Sequence, residues 1–144
     1  MKIRPPKTKD EWKQYYDLRY EVMNKPSGYS RSSVHDKKDP DSYHFAAFDG
    51  GNIVGVGRLH YDNGDLSTGY IRFMAVAVSE QSKGVGSEIL SAIETEAKNL
   101  GSKLLKLKAR ESALCFYKKN GFKLLDECTE SFFKTPHWNM EKKM

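Results

Sequence analysis

Cysteine is scarce in this chain of 144 residues, and long apolar runs are absent. Cys115 and Cys128 lack the close Cys/His spacing of a structural zinc site, and a reducing cytosol argues against a disulfide, so we expect two free thiols. No apolar run approaches the ~20 residues that cross a bilayer, and no apolar stretch follows the N-terminal basic residues, as a secretory signal requires. These absences predict one cytoplasmic domain over residues 1–144, with no metal site and no membrane partner.

The net charge of +5 favours anionic partners. Charge alone does not separate nucleic acid from a phosphorylated small molecule. The lysines and arginines are spread along the chain instead of forming one block, and no nucleic-acid-binding motif is present. We therefore expect no nucleic-acid partner, and a basic nucleic-acid-binding domain is the weakest of three hypotheses for this chain.

The spacing of apolar residues predicts the order strand, helix, three strands, helix, strand, helix, two strands, which is a mixed α/β sheet with helices packed on it. A short first strand is ended by Pro5 and Pro6, and a helix then begins at the capping box of Thr8 and Glu11 and continues to about Asn24. The later strands are predicted over residues 44–49, 52–62, 70–79, 103–109, 122–128 and 131–143, and the later helices between Gly86 and Gly101 and over residues 111–120.

Residues 25–42 are rich in Pro, Gly, Ser and Asp and have almost no apolar periodicity. Irregular connections of this length are uncommon in compact domains and are often functional or mobile. Two interpretations stay open here: a lid that shapes a substrate site, and a partly disordered loop.

The segment KGVGS, residues 83–87, lies between a predicted buried strand and a predicted helix. Its glycines let successive amides face a ligand at a helix N-terminus, where the macrodipole favours an anion such as phosphate. The segment lacks the Lys-Ser/Thr pair that ends a P-loop, and Ile89 stands where a Rossmann fingerprint has a third small residue. Taken alone, the two glycines are a weak signal, and an ordinary strand-to-helix loop remains the alternative.

Two motifs together make the signal specific. Residues 81–86, QSKGVG, satisfy the pattern Gln/Arg-x-x-Gly-x-Gly/Ala, and residues 113–122, ALCFYKKNGF, carry an alanine followed by aromatic-Tyr and then Gly-Phe. In these motifs and in element order the chain resembles the GNAT superfamily of acetyl-CoA-dependent N-acetyltransferases, strongly over about residues 43–125 and more weakly over residues 1–24. The resemblance implies the GNAT-type acyl-CoA N-acyltransferase fold, with about seven strands and helices on both faces, and acetyl-CoA as co-substrate.

The resemblance also implies where acetyl-CoA lies. In the superfamily the fourth strand splays from the fifth, pantetheine occupies the opening, and a strand N–H, here near Val76, can polarise the thioester carbonyl. Lys118 or Lys119 is a candidate contact for the 3′-phosphate, and Arg110, where many relatives have asparagine, contacts a phosphate or nothing. The predicted cofactor-binding residues are Met74, Ala75, Val76, Ala77, Val78, Gln81, Ser82, Lys83, Gly84, Val85, Gly86, Ser87, Arg110 and Tyr117.

Tyr117 matches the position of the family's catalytic acid. The leaving CoA thiolate needs a proton, and a phenol with an ordinary pKa of about 10 is a suitable donor. Without the resemblance, a tyrosine on an amphipathic helix is more often a packing residue. Cys115, two residues earlier, is expected to be buried packing, and an acyl-enzyme route through it is a minor alternative.

The general base is unassigned at this stage. Many relatives carry a glutamate on the fourth strand just before the apolar run, where this chain has Tyr70, Ile71 and Arg72. Because a histidine titrates near neutral pH, His137 is the preferred candidate. The other candidates are Glu21, His60, Asp62 and water held by backbone carbonyls.

The preferred hypothesis is direct transfer of an acetyl group from acetyl-CoA to a primary amine of a small molecule or peptide. The main alternative is a non-catalytic acyl-CoA-binding regulatory module, which the missing glutamate favours and the presence of Tyr117 disfavours. The mixed charges of residues 25–42 do not reveal the charge of the acceptor. The sequence neither supports nor excludes a homodimer.

Overall fold

A computed structural model describes residues 1–129 and 135–144 of the chain. The strands are β1 (Lys2–Arg4), β2 (Tyr43–Asp49), β3 (Asn52–His60), β4 (Thr68–Val76), β5 (Leu104–Arg110), β6 (Lys123–Glu127) and β7 (His137–Lys143). The α-helices are α1 (Lys9–Arg19), α2 (Val85–Asn99) and α3 (Leu114–Lys119). In the part of the chain that the structure describes, no helix has the length and apolar character needed to cross a membrane.

The strands form one seven-stranded sheet in the order β1-β2-β3-β4-β5-β7-β6. β4 and β5 are parallel, and the other neighbouring strands are antiparallel. Tyr15 of α1 packs with Val56 and Ala75 on one face of the sheet. Ile89 and Ile93 of α2 pack in a second core cluster with the residues of the opposite face. The predicted element order, the mixed α/β class and the placement of helices on both faces are confirmed.

Some boundaries differ from the prediction because apolar spacing continues past the end of regular structure. α1 ends at Arg19, and Tyr20–Asn24 extend it as a π-helical turn. β4 ends at Val76 instead of residue 79, and Val78–Glu80 form a 3₁₀ turn. The first residues of the predicted last strand, 131–134, lie outside the described residues.

The predicted start of α1 is present, with a different partner for the glutamate. The Thr8 hydroxyl accepts a hydrogen bond from the Glu11 amide at 3.1 Å. The Glu11 carboxylate accepts from the Lys7 amide at 2.8 Å and from Arg4 at 2.9 Å. Glu11 therefore pairs with the amide of Lys7, the residue before the N-cap Thr8, and its ion pair with Arg4 joins α1 to β1.

Residues 25–42 are anchored by a buried carboxylate. Asp39 accepts hydrogen bonds from Arg19 and Arg58, each at 2.9 Å, and from the Tyr16 hydroxyl at 3.0 Å. Arg19 is 0% exposed, Arg58 1% and Asp39 7%. Burial alone would raise the pKa of Asp39, but the two arginines outweigh burial and lower it. Because buried charges require partners, these contacts favour an ordered segment over a disordered loop.

Cys115 is exposed, so the expectation that it is buried packing is wrong. It lies two residues before Tyr117 on α3, and residues at this separation face different sides of a helix. Because Tyr117 is buried against the core, Cys115 faces solvent. Cys115 and Cys128 are both free thiols, as predicted.

Candidate active site

β4 and β5 pair over their first halves only. Their parallel register ends at the pair Ile71 and Leu107. Beyond that pair, β4 continues along β3 to Val76, while β5 continues along β7 to Arg110. The two strands therefore separate, and the second half of β4 has no ladder partner on its β5 side among the described residues.

A bulge in β4 lies where the strands separate. Phe73 has a φ of 55°, and the register of the β3–β4 ladder shifts between Val56 and Arg58. A residue other than glycine in this left-handed region costs about 1–3 kcal/mol unless its surroundings hold it. The guanidinium carbons of Arg19 and Arg58 lie 4.1 and 4.9 Å from the centre of the Phe73 ring. The arginines that anchor residues 25–42 therefore also support the bulge.

A groove of about 700 Å³ occupies the opening between β4 and β5. It is bounded by the end of β4, the turn before α2 and the start of α3. Lys119 lines it and Lys118 does not, so the contact between Lys119 and the 3′-phosphate stays a prediction. Most predicted cofactor-binding residues line it as well: Met74, Ala75, Val76, Gln81, Ser82, Gly84, Val85, Gly86, Ser87, Arg110 and Tyr117.

Three predicted residues lie outside the lining of this groove. The Ala77 amide donates to the Val54 carbonyl at 2.9 Å, and Val78 is 79% exposed. Lys83 pairs with Glu80 at 3.2 Å on the surface. Because β4 ends at Val76 and the chain then turns away, the apolar run after Val76 does not continue along the groove, contrary to the prediction.

The turn before α2 presents amides to the groove. Gly84 is the N-cap of α2 with a φ of 87°, and Ser82 has a φ of 66°. No side chain caps this helix in the described part of the chain, so the amides of residues 85–87 are left for a ligand. Positive φ values near a helix N-terminus turn successive amides inward, and the helix dipole adds positive potential. This geometry suits a pyrophosphate.

Gly86 is required by a close approach. A Cβ at this position would lie 3.0 Å from a ring carbon of Phe116 and 3.6 Å from a methyl of Val76. The glycine therefore lets the start of α2 approach α3 and the end of β4 across the groove.

The amide of Val76 points into the groove. The neighbouring Ala77 amide bonds to Val54 of β3, and N–H groups alternate sides along a strand. The Val76 carbonyl, on the groove side, accepts a hydrogen bond from the Gln81 side chain at 3.0 Å. Gln81 thus ties the turn before α2 to the end of β4, and the Val76 N–H is directed toward the place that the resemblance implies for the thioester.

Tyr117 is buried on α3 and lines the groove. Its ring centre lies 5.0 Å from that of Phe116 and 5.7 Å from that of Phe122, both in edge-to-face contact. Burial raises the pKa of the Tyr117 phenol above its usual 10, and Arg110 partly offsets the increase. The hydroxyl forms no hydrogen bond within residues 1–129 and 135–144, so it remains a protonated donor for a ligand.

A second cavity, of about 360 Å³, meets the groove at Tyr117. We call it the acceptor cavity. Met74, Arg110, Ala113 and Tyr117 line both spaces. Residues 25–42 form part of its wall, through Ser27, Tyr29, Ser33 and Asp36. The loop therefore borders a cavity, and its role in shaping a substrate site stays a prediction.

His137 lines the acceptor cavity from the start of β7, where it is paired with Arg110 of β5. Its Nδ1 lies 2.8 Å from the Thr135 carbonyl, so Nδ1–H donates and Nε2 is the basic nitrogen. Burial lowers the pKa of His137; the Thr135 carbonyl opposes this, and Arg110 and Arg72 lower the pKa further. His137 is therefore neutral near pH 7.

The other candidate bases lie elsewhere. Glu21 is exposed and pairs with Lys25 at 3.4 Å. His60 is buried with Nδ1 3.0 Å from Arg58, and burial together with the Arg58 charge lowers its pKa to about 4. Asp62 pairs with Lys38. Of the side chains named as candidate bases, His137 is the one that lines the acceptor cavity.

Sequence reasoning missed three charged residues of the acceptor cavity, Asp36, Arg72 and Lys108. Asp36 lies in a segment without periodicity, so no pattern identified it. The alternation of lysine with leucine along β5 indicated which residues share a face with Lys108. The exposure of that face to a cavity follows from the separation of β4 and β5, which no local pattern encodes.

The model of the Acetyltransferase (GNAT) family matches residues 8–122. The chain belongs to this family. GNAT membership confirms the resemblance and makes the protein an acetyl-CoA-dependent acyltransferase with acetyl-CoA as co-substrate.

Individual members and structures align with almost the whole length of this GNAT protein. Uncharacterized N-acetyltransferase YjcF of Bacillus subtilis (strain 168) is 31% identical over 142 residues, which is 99% of both chains. An aminoglycoside 6'-N-acetyltransferase complexed with coenzyme A has a TM-score of 0.82 at 18% identity, covering 99% of this chain and 97% of its own. A GNAT family acetyltransferase from Elizabethkingia anophelis with acetyl-CoA bound has a TM-score of 0.71 at 23% identity, covering 90% of each chain. The two structures show the shared fold.

The turn before α2 yields a prediction for acetyl-CoA affinity. Gly84→Ala places a Cβ in a left-handed conformation, which costs about 1–2 kcal/mol, and the strain is relieved only if the turn moves its amides. We expect the Kd for acetyl-CoA to rise by about 5- to 20-fold in calorimetric titrations. Gly51→Ala in the β2–β3 turn is the matched control, because an added Cβ there meets no atom within 4 Å and no positive φ is required. Equal affinities for the two variants would contradict the assigned role of the turn.

Proposed function

We propose that the protein transfers the acetyl group of acetyl-CoA directly to a primary amine of a small molecule or peptide. The observation that carries the proposal is the meeting of two cavities at Tyr117: a groove that begins at the phosphate-binding turn, and an acceptor cavity that residues 25–42 help to form. An acyl donor and an amine acceptor can approach each other at this junction from opposite sides.

The reaction needs one bond formed and one broken. The amine nitrogen attacks the thioester carbonyl carbon, and the carbon–sulfur bond then breaks to release the CoA thiolate. The Val76 N–H, directed into the groove, stabilises the negative charge that develops on the carbonyl oxygen, because a fixed donor in a water-poor site needs no reorganisation.

Two proton transfers complete the reaction. His137 accepts the proton that the amine loses, since its imidazole is neutral near pH 7. Tyr117 gives its proton to the thiolate. Its raised pKa makes it a weaker acid than an exposed tyrosine, but the thiolate is formed in the same buried place and becomes more basic for the same reason.

Calorimetric titration of acetyl-CoA into the ligand-free protein tests the proposal, with dephospho-CoA and ATP as controls. Saturable one-site binding of acetyl-CoA, followed by amine-dependent release of CoA, supports it. If no CoA species binds, the proposed function is wrong at its first step. If acetyl-CoA binds but no amine causes release of CoA, the non-catalytic binding module is favoured.

The assignment of His137 as base gives a pH prediction. We expect kcat to rise with pH as His137 loses its proton, with a midpoint below 6.5, because burial and two nearby arginines lower its pKa. His137→Gln should lower kcat by about 100-fold and remove this limb of the profile, measured at saturating acceptor from about pH 5 to about pH 9. His35→Gln, an exposed position outside both cavities, should retain the limb. Persistence of the limb in His137→Gln would rule out His137 as base.

A further inference from the structure

Several polar side chains of the acceptor cavity already have partners in the protein. The Asp36 carboxylate lies 3.1 Å from Arg58, and the Asn24 side-chain amide donates to the Ser33 hydroxyl at 2.9 Å. Two charged side chains of the lining, on β4 and β5, also interact with protein groups: Arg72 and Lys108. These polar side chains therefore do not depend on a ligand for their partners.

The surface that the cavity offers to a ligand is mainly hydrocarbon. Four partly buried apolar side chains line it, from the π-helical turn, the bulge of β4 and the turn before α3: Met23, Phe73, Met74 and Ala113. Met23 packs at the edge of the core cluster of α1, and Met74 and Ala113 pack at the edge of the core cluster of α2. Because methionine is unbranched and flexible, its side chain adapts to apolar ligands of different shape.

The backbone of Phe73 gives an independent reason to assign its ring to a ligand. Its φ of 55° is strained for a bulky residue, and glycine or asparagine adopts this conformation more easily. The ring belongs to neither core cluster of the described residues. It packs on the guanidinium groups of Arg19 and Arg58 and lines the acceptor cavity. An aromatic ring kept at a strained position in a cavity wall indicates a use in that cavity.

This apolar wall lies next to the reacting groups. Phe73 and Met74 follow the point where β4 separates from β5. Met74 lines the acetyl-CoA groove as well as the acceptor cavity, and the same is true of Tyr117, the proposed acid. His137, the proposed base, lines the acceptor cavity. An amine that reaches the junction from this cavity therefore brings its nearest carbon atoms against hydrocarbon.

We infer that the acceptor is a primary amine on an apolar chain, and that this chain packs against Met23 and Phe73 while the nitrogen reaches the junction at Tyr117. The inference rests on the proposed function, because it names the acceptor class of the same reaction. Each methylene group that enters the cavity stabilises the complex by removing apolar surface from water. A hydroxyl or a second ammonium on the chain would lose its hydration against this wall.

A series of amines tests the inference. Ethylamine, n-propylamine, n-butylamine and n-pentylamine differ by one methylene each, ethanolamine is the polar counterpart of n-propylamine, and spermidine is a polycation. The measured quantity is kcat/KM for CoA release per unprotonated amine, so that differences in basicity do not enter. We expect it to rise by about two- to fourfold per methylene, and to be about 10-fold higher for n-propylamine than for ethanolamine.

Two further compounds distinguish the sources of such a chain. Phenethylamine carries an aromatic ring on a short chain, and Nα-acetyl-L-lysine amide presents an alkyl chain on a peptide backbone. Whichever has the higher kcat/KM shows whether a small arylalkyl amine or a lysine side chain fits the cavity better.

Variants connect the preference to the two side chains. Met23→Gln keeps the side-chain length and replaces the thioether by an amide, and Phe73→Asn removes the ring while suiting the positive φ. Each should lower the ratio of kcat/KM between n-pentylamine and ethylamine by at least about threefold, whereas Phe73→Leu should retain most of it. The Kd for acetyl-CoA should stay near the wild-type value, because neither residue lines the groove. Met144→Gln, partly buried outside both cavities, is the matched control and should keep the ratio.

Three results overturn the inference. The first is a kcat/KM that does not rise along the series, or that is higher for ethanolamine or spermidine than for n-propylamine. The second is acetylation of other amines but of none in the series. The third is a rise with chain length that neither Met23→Gln nor Phe73→Asn reduces. In each case an amine is acetylated, so the transferase function stands. If acetyl-CoA does not bind, or no amine is acetylated, the proposed function fails together with the inference.

Discussion

Tyr117→Phe is expected to lower kcat by about 100- to 10,000-fold, the range that loss of a positioned acid produces. The substitution removes only the hydroxyl, which forms no hydrogen bond within the described residues, and it leaves the ring packed between Phe116 and Phe122. Folding and the Kd for acetyl-CoA should therefore stay near the wild-type values. Steady-state kinetics of CoA release and calorimetry measure the two quantities separately.

Tyr61→Phe is the matched control. The Tyr61 hydroxyl lies 2.7 Å from the hydroxyl of Ser102, away from both cavities, so its removal should cost about 1 kcal/mol of stability and leave kcat unchanged. The pH profile gives an independent check. Because burial raises the pKa of Tyr117, the phenol keeps its proton above its ordinary pKa of 10, and no loss of activity from its ionisation is expected below that pH. If Tyr117→Phe keeps full kcat, Tyr117 is not the acid.

Asp39→Asn is expected to destabilise the protein by about 3–5 kcal/mol, because it leaves buried positive charge without its counter-ion. Arg58 retains Asp36 at 3.1 Å, while Arg19 keeps its hydrogen bond to the Val34 carbonyl at 2.9 Å and loses its carboxylate. The loss can be measured as a shift in urea or thermal unfolding. Since Asp39 anchors residues 25–42, the KM for the acceptor should also rise more than the Kd for acetyl-CoA.

Asp17→Asn provides the comparison for this prediction. Asp17 also pairs with two cations, Lys13 at 2.8 Å and Arg31 at 2.7 Å, but it lies on the surface with 42% of its side chain exposed. Exposed ion pairs contribute about 0–1 kcal/mol, so this variant should unfold close to the wild type. Similar stabilities for Asp39→Asn and Asp17→Asn would show that the buried pairs do not anchor the loop.

The stabilisation by Asp39 also depends on pH in a defined direction. The two arginines lower the pKa of Asp39 below its ordinary value of 3.8. The folded state therefore stabilises the ionised form of this carboxyl group more than the unfolded chain does. Its contribution is complete above that ordinary pKa and is lost as the pH falls through the lowered value.

The element order and the glycine turn before α2 were predictable because their signals are local. A glycine required by a positive φ, such as Gly84, and the apolar period of the helix that follows it act over a few neighbouring residues. The position of Tyr117 came from a motif of the same kind. The end of β4 was less predictable, because the apolar run of the sequence continues through Ala77 and Val78 although the strand ends at Val76.

The buried charges were not predictable from the sequence. Arg19 lies at the end of α1 and is buried there. Arg58 lies in β3, where all the remaining residues after Asn52 are apolar, glycine or histidine. Charged residues are normally exposed, and they are buried only when partners from distant segments arrive with them. Those partners, Asp36 and Asp39, lie in residues 25–42, which have almost no apolar periodicity.

The sequence by itself determined the fold class, the family and the glycine turn before α2, because each depends on residue types at fixed short spacings. The tertiary structure alone decided which side chains line the acceptor cavity. Arg110, Tyr117 and His137 meet because β4 separates from β5 and β7 pairs with β5, and such meetings depend on contacts between segments far apart in the chain. A local pattern specifies the conformation of its own residues, and it does not specify which distant residues they will contact.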